Sequence, residues 1–413
     1  MLYAMISLWA AVGLLVSAWY YCATYFAARR FLGRKKGHHR NAADVELPGV
    51  TILKPLKGLD ADLFENLATF CRQDYPRFQI VFAVADRTDA SLGVIRRLRQ
   101  VYPDVDMQVV VDGRIYGPNY KVSNLVNAYR HAKYDYIVVA DSDIRVSPDY
   151  LRNLVSDLCQ PDVGVVTCVY RATPVGGVAA RLEALFVNTD FSPSVFVAQV
   201  VEPTRYAFGA TMAIRRSVLE EIGGFEALAP YLADDFFLGH FVSQRGYRVV
   251  VSDMVVETVL TIPTWRRLVE HQLRWARTHR SVRPFSYFAL SLTYGTLWAI
   301  LQLILHPTWP AAWVTSVGLL MLRLCTAYVV ATRYLGATLT KQELVLLPLK
   351  DLFVAAMWAA AFASNRVTWS GRHFRLIGGG EMVPLEAATA VPFSTPAEPK
   401  TEPASGNKPA TSA

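Results

Sequence analysis

The chain has 413 residues, 53% of them hydrophobic, a formal net charge of +8 and five cysteines. That length holds two or three domains with an ample core, and the apolar share exceeds the globular average. The positive balance does not point to nucleic acid, because much of it flanks apolar segments where Lys and Arg meet lipid headgroups; the scattered cysteines show neither metal-ligand spacing nor a disulfide framework, as expected in a reducing compartment.

Residues 1–28 carry no charge. At about 1.5 Å per helical residue they exceed the roughly 30 Å of bilayer hydrocarbon. Arg29, Arg30, Arg34, Lys35, Lys36 and Arg40 follow. A cleaved leader has its charges first and a small-residue cleavage site last. This order is reversed, so the segment reads as an uncleaved anchor, with residues 29–47 a basic juxtamembrane linker and the following domain cytoplasmic.

Over 48–262 short apolar runs alternate with helical periodicity. Val50–Leu53, Gln79–Val84, Met107–Val111, Tyr136–Ala140 and Val163–Val169 are predicted strands. Asp62–Arg72, Ala90–Val101, Tyr120–His131 and Asp149–Leu158 are the predicted helices between them. The alternation predicts βαβ units in an α/β, doubly wound, mostly parallel sheet. Further strands are expected at Phe208–Ile214 and Tyr247–Ser252, with a helix near Asp235–Gln244 between them.

Residues 263–284 interleave Trp265, Leu268 and Trp275 with six arginines, the pattern of an amphipathic helix at a membrane interface. Residues 285–365 hold three apolar candidates, Phe285–Leu305, Ala311–Thr332 with Arg323, and Leu344–Ser364 with Lys350 and Asp351. Three crossings would put the basic, Gly-rich stretch 366–383 outside, against the positive-inside tendency, so the last candidate is expected to be re-entrant or interfacial. The Pro-, Ala- and Ser-biased stretch 384–413 is expected to be a disordered tail.

Several chemical groups follow the predicted strands. Lys54 and Lys57 lie in Thr51–Gly58, where a loop at a strand end suits nucleotide phosphates or is a plain basic turn. Asp86 and Asp89 either accept hydrogen bonds from a nucleotide or cap the next helix. Lys121 and Asn124 open a helix, where anions are favoured. Asp141 and Asp143 follow a strand whose carboxyl end, in an open α/β sheet, faces the ligand. Carboxylates two apart there suit a hard divalent cation, Mg2+ or Mn2+, which binds phosphate oxygens in turn; alone, such a pair is an acidic turn. Asp234 and Asp235 open another helix, favoured by its dipole, and one of them can serve as a general base. His271, Arg274 and Trp275 lie on the basic amphipathic segment.

In this order and spacing, the set resembles inverting glycosyltransferases of the large family that includes cellulose, chitin and hyaluronan synthases. It is most similar to the ceramide glucosyltransferase family and its bacterial relatives that glycosylate hopanoids. The shared landmarks are K-P-L-K-G at 54–58, D-R-T-D at 86–89, N-Y-K-V-S-N-L at 119–125, D-S-D-I-R-V at 141–146, L-A-D-D-F-F at 232–237, R-W at 274–275 and G-G-G-E-M at 378–382. The resemblance implies a GT-A fold and a UDP-sugar donor (glucose or N-acetylglucosamine). It also implies a membrane-lipid acceptor, ceramide or a hopanoid polyol, met at the cytoplasmic face of a bacterial inner membrane.

By position, Asp89 with Asp86 implies a nucleotide contact, Asp141 a nucleotide-sugar contact, Asp143 a metal ligand and Asp235 the catalytic base. Lys54, Lys121 and Asn124 complete the donor side; Asp234, His271, Arg274 and Trp275 line the acceptor and diphosphate side. Animal ceramide enzymes of the family read D-S-G where this chain has D-S-D, and His271 stands where the family has Gln or Arg. A processive polysaccharide synthase shares the acids but needs more spans for its polymer. An inactive scaffold would not be expected to keep every acid.

Overall fold

The computed structural model describes residues 1–33 and 47–385. The basic residues Arg34, Lys35, Lys36 and Arg40, and the tail from 386 onward, lie outside the described residues. The first helix, α1 (Leu2–Leu32), is followed by β1 (Val50–Pro55), α2 (Leu63–Cys71), β2 (Phe78–Val84), α3 (Ser91–Val101), β3 (Asp106–Val111), α4 (Tyr120–Tyr129) and β4 (Tyr136–Val139). Next come β5 (Ile144–Arg145), α5 (Tyr150–Leu158), β6 (Val163–Pro174), α6 (Val178–Phe186), α7 (Ser192–Val201), β7 (Met212–Arg215), α8 (Arg216–Glu221), α9 (Asp234–Gln244) and β8 (Arg248–Leu260).

These eight strands form one sheet in the order β3-β2-β1-β4-β7-β6-β8-β5. The pairs β3/β2, β2/β1, β1/β4 and β6/β8 are parallel; β7 and β5 run antiparallel to their neighbours. The expected doubly wound, mostly parallel α/β sheet is therefore the one adopted. Successive residues of a strand face opposite sides. Ile52 joins the core under α2, α3 and α5, and Leu53 joins the core under α4, α8 and α9. Both faces being covered explains why the strands read as continuous apolar runs.

The expected strand at Phe208–Ile214 begins only at Met212. Thr211 N–H donates to Phe208 O at 3.1 Å, closing a tight turn over Gly209 and Ala210. Residues 178–201, not assigned from the sequence, form two helices joined by a π turn at Val187–Phe191.

Past the sheet lie α10 (Trp265–Val282), α11 (Pro284–Ala289), α12 (Gly295–Leu305), α13 (Pro310–Val329) and α14 (Lys341–Ala360). Among the described residues, Leu2–Leu32, Val178–Val201, Pro310–Tyr334 and Lys341–Ala363 are long and apolar enough to cross a membrane by length and composition. The apolar candidate at Phe285–Leu305 forms a helix pair, Pro284–Thr293 and Gly295–Leu305, bent by 54°. Its broken backbone is satisfied by protein: Gly295 N–H donates to Tyr21 Oη at 3.0 Å, and Trp298 Nε1 donates to Ser291 O at 2.9 Å. The arginines of α10 turn partly toward protein, Arg277 and Arg280 donating to the carbonyls of Arg366 and Ser364.

The stretch read as basic and Gly-rich is an antiparallel sheet of β9 (Arg366–Trp369), β10 (Arg372–Leu376) and β11 (Met382–Pro384). Ser370 (φ 52°) and Gly371 (φ 82°) make its two-residue turn, which needs two left-handed residues. This sheet docks beside the main one, Met382 N–H donating to Pro230 O at 2.8 Å and Lys57 Nζ to Ser370 Oγ at 2.6 Å.

Candidate active site

The carboxyl ends of β1 and β4 lie side by side, and Lys54 ties them. It is fully buried, its Nζ donating to Asp141 O at 2.5 Å and lying 3.8 Å above the Phe70 ring. Burial pushes its ammonium down to about 7, with Asp141 and Asp143 opposing the shift.

Asp141 and Asp143 leave β4 in a loop stitched to β8. Val259 N–H donates to Asp143 O at 2.9 Å, and Thr258 Oγ1 donates to Asp143 Oδ2 at 2.7 Å. Burial, then the charge of Asp141, pushes the Asp143 carboxyl up to about 6. Asn119 caps α4, its side chain accepting from Val122 N–H at 3.1 Å, and so sets Lys121 in the first turn. Lys121 Nζ lies 2.8 Å from Asp141 Oδ1 and 3.1 Å from Asp234 Oδ2. Burial alone would lower this ammonium, but Asp141 and Asp234 hold it above its usual range.

Asp234 and Asp235 open α9. Asp235 Oδ2 accepts the Gly209 N–H at 2.8 Å, and burial, then the charge of Asp234, pushes its carboxyl up to about 6. A methyl group at Gly209 would stand 3.2 Å from Asp141 Oδ2 and 3.4 Å from Asp235 Oδ2, so the turn over 209–210 brings bare backbone up to both acids. Sequence reasoning read this stretch as a strand and missed Gly209. Glycine within a β-patterned run was the available signal.

On α10, Arg274 lies close enough to Asp235 and Asp141 to feel their charge, although burial lowers its pKa. His271 Nδ1 lies 3.0 Å from Glu183 Oε1, and Gln272 Nε2 donates to Glu183 Oε2 at 2.8 Å. Glu183, fully buried on α6, was also missed. Trp275 packs edge-on to Phe191 at 5.3 Å.

Lys121, Asp141, Asp143, Asp234, Asp235, His271, Arg274 and Trp275 thus share one cavity of about 760 Å³. Lys54, Asp86, Asp89 and Asn124 do not line it. Asp89 holds the Lys54–Gly58 loop, accepting Gly58 N–H at 2.9 Å, and starts α3 by accepting Ser91 N–H at 2.9 Å. Burial would raise its carboxyl, but these hydrogen bonds and that from the Ser91 hydroxyl hold it below the usual range. Asp86 is exposed and accepts from Thr88 N–H and Oγ1, both at 2.8 Å. Asn124 Nδ2 reaches Leu56 O at 3.5 Å. Of these four, Asp89 and Asn124 contact the Lys54–Gly58 loop.

Among the described residues, no three Asp, Glu, His or Cys side chains converge as a metal-binding group. The Asp141–Asp143 pair nevertheless fits a divalent cation shared with substrate phosphates, since Mg2+ takes one or two carboxylates and fills its other positions with water and phosphate. Burial, then the charge of Asp141, lifts the Asp143 carboxyl, and a dication would favour its charged form against both.

The chain belongs to glycosyl transferase family 21, whose model matches residues 9–382. The chain is similar to ceramide glucosyltransferase 1 of Caenorhabditis elegans, 29% identical over 216 residues, 52% of this chain and 46% of that protein. It is also similar to a ceramide glucosyltransferase of Candida albicans, 39% identical over 142 residues, 30% of this chain and 26% of that protein. The chain spans about half the length, or less, of the curated relatives it matches. Among solved structures, a mannosyltransferase of Pyrobaculum calidifontis in complex with GDP-mannose and Mn2+ matches with a TM-score of 0.49 and 23% identity, over 86% of this chain and 98% of that one.

If Asp235 acts as a base it must be unprotonated to work, so with its carboxyl, like that of Asp143, raised to about 6, turnover should be highest above that value and fall as the pH drops through it. A profile of kcat against pH in purified membranes checks this; a rate flat down to the ordinary carboxylate range would contradict the site's electrostatics.

Proposed function

We propose that this chain is a membrane-bound inverting glycosyltransferase that moves glucose or N-acetylglucosamine from a UDP-sugar to a hydroxyl of a membrane lipid, a ceramide or a hopanoid polyol. The observation that carries this reading is the cavity. Its lining combines Asp141, Asp143, Asp234 and Asp235 with apolar side chains of α7, α14 and the turn after α11, including Val195, Val354, Met357 and Leu290. A donor at the sheet edge and a lipid reaching in from the bilayer would meet there. The orientation with the sheet domain in the cytoplasm follows from the arginines after α1.

Asp235 takes the proton of the acceptor hydroxyl as its oxygen bonds to the anomeric carbon. The bond from that carbon to the departing UDP breaks on the opposite face, so one displacement inverts the centre. An aspartate is adequate because the hydroxyl acidifies as the new bond forms, and a carboxyl raised to about 6 is a stronger base than an ordinary one. Both oxygens of Asp235 accept backbone N–H groups, Oδ2 from Gly209 and Oδ1 from Phe236, each at 2.8 Å, and together these fix the carboxylate's orientation. Lys121 and Arg274 bring positive charge to the diphosphate side. Asp143, with Asp141, would hold the divalent cation, whose chemistry is to neutralise charge on the leaving diphosphate.

With UDP-glucose and UDP-N-acetylglucosamine as probes, Asp235→Asn in purified membranes should abolish transfer and leave donor binding intact. Near-normal transfer by that variant would refute the base. Chelation with EDTA should stop wild-type turnover and added Mg2+ or Mn2+ restore it, whereas metal-independent turnover would remove the ligand role of Asp143.

A further inference from the structure

Four charged side chains meet beside the cavity on or against membrane-type helices. Arg323 of α13 and Lys350 and Asp351 of α14 are all buried, at 5%, 0% and 8% exposure. Arg323 lies 2.9 Å from Asp351 and 3.0 Å from Asp190; Lys350 lies 2.5 Å from Asp351 and also bonds Asp190. Thr296 Oγ1 adds a hydrogen bond to Asp351 at 2.6 Å. Two cations against two anions leave the group neutral, and neutrality is what makes such a cluster tolerable at membrane depth.

Neutrality does not account for how the Arg323 fork is placed. It reaches beyond Asp351 and donates to the main-chain oxygen of Thr189 at 2.9 Å. Thr189 and Asp190 lie in the π turn Val187–Phe191 between α6 and α7, and such turns concentrate at functional sites. The last residue of the turn, Phe191, packs edge-on against Trp275 at 5.3 Å and against Phe208 at 5.6 Å. Trp275 follows Arg274, and Phe208 precedes Gly209, whose N–H holds Asp235. The same turn therefore packs against the chain neighbours of both Arg274 and the Gly209 that holds the acid.

We infer that Arg323 is a positioning residue, which grips the π turn through Thr189 and Asp190 and so sets Phe191 against Phe208 and Trp275, the chain neighbours of Gly209 and Arg274. This rests on the glycosyl-transfer reading above. Arg323 touches no reacting group; it couples the packing of the membrane helices to the geometry of the site.

Lysine keeps the charge of arginine but not its planar fork, so Arg323→Lys preserves neutrality and loses the multipoint grip. With total membrane lipids as acceptor and the two UDP-sugars as donors, Arg323→Lys in the full-length chain should lower kcat by about tenfold or more, with the donor KM and the melting temperature unchanged. Phe191→Leu, which leaves all four charges in place, should give the same split. A folded Arg323→Lys with wild-type kcat overturns the proposal. So does a rise in donor KM that parallels the fall in kcat, or a Phe191→Leu at wild-type rate. If Arg323→Lys does not fold, Phe191→Leu alone decides. Asp235→Asn measured alongside separates the two readings. Transfer by that variant defeats the glycosyl-transfer mechanism, whereas an inactive Asp235→Asn beside silent Arg323→Lys and Phe191→Leu defeats only the positioning role.

Discussion

Carboxylates gathered in a partly buried pocket repel one another, and Lys121 is the cation between two of them. Its ammonium spans Asp141 at 2.8 Å and Asp234 at 3.1 Å, joining the end of β4 to the start of α9. Removing the cation from this partly buried set would leave two carboxylates facing each other without compensation. The acids of the site, 93 residues apart in sequence at 141 and 234, are held in one place by that contact.

The surrounding fold sets the contact up. Parallel pairing of β1 with β4 places Lys54 beside Asp141, and the Asn119 cap sets the phase of the helix carrying Lys121. Gly239 lets α9 lie close on the chain at Tyr206–Ala207, since a methyl group there would meet that backbone at 2.5 Å. Burial, and then the repulsion between neighbouring acids, raises the carboxyls of Asp143 and Asp235. In the proposed mechanism this shift is put to use: one group is strengthened as a base and the other is kept receptive to a cation.

Much of this was legible in the sequence because it is local. Buried parallel strands read as apolar runs, and acids placed just after Ala140 and Ala233 announced themselves at element ends. What escaped depended on distant partners. The break before Gly295 has no proline; it is sustained by Tyr21, 274 residues earlier. Glu183 sits in an apolar helical run, and only the fold brings Gln272 and His271 to it. The turn over Gly209 hid within strand-like periodicity. The Ser370-Gly371 hairpin did carry a local signal, but its basic composition drew the reading toward membrane topology instead.

Single displacement is the central claim, and the linkage of the product tests it most directly. The purified protein, given an α-linked UDP-hexose and total membrane lipids, should make a glycolipid whose anomeric proton, resolved by nuclear magnetic resonance, reports a β linkage. An α-linked product would mean retention at the anomeric carbon, which a single back-side displacement cannot give, and would contradict the role given to Asp235.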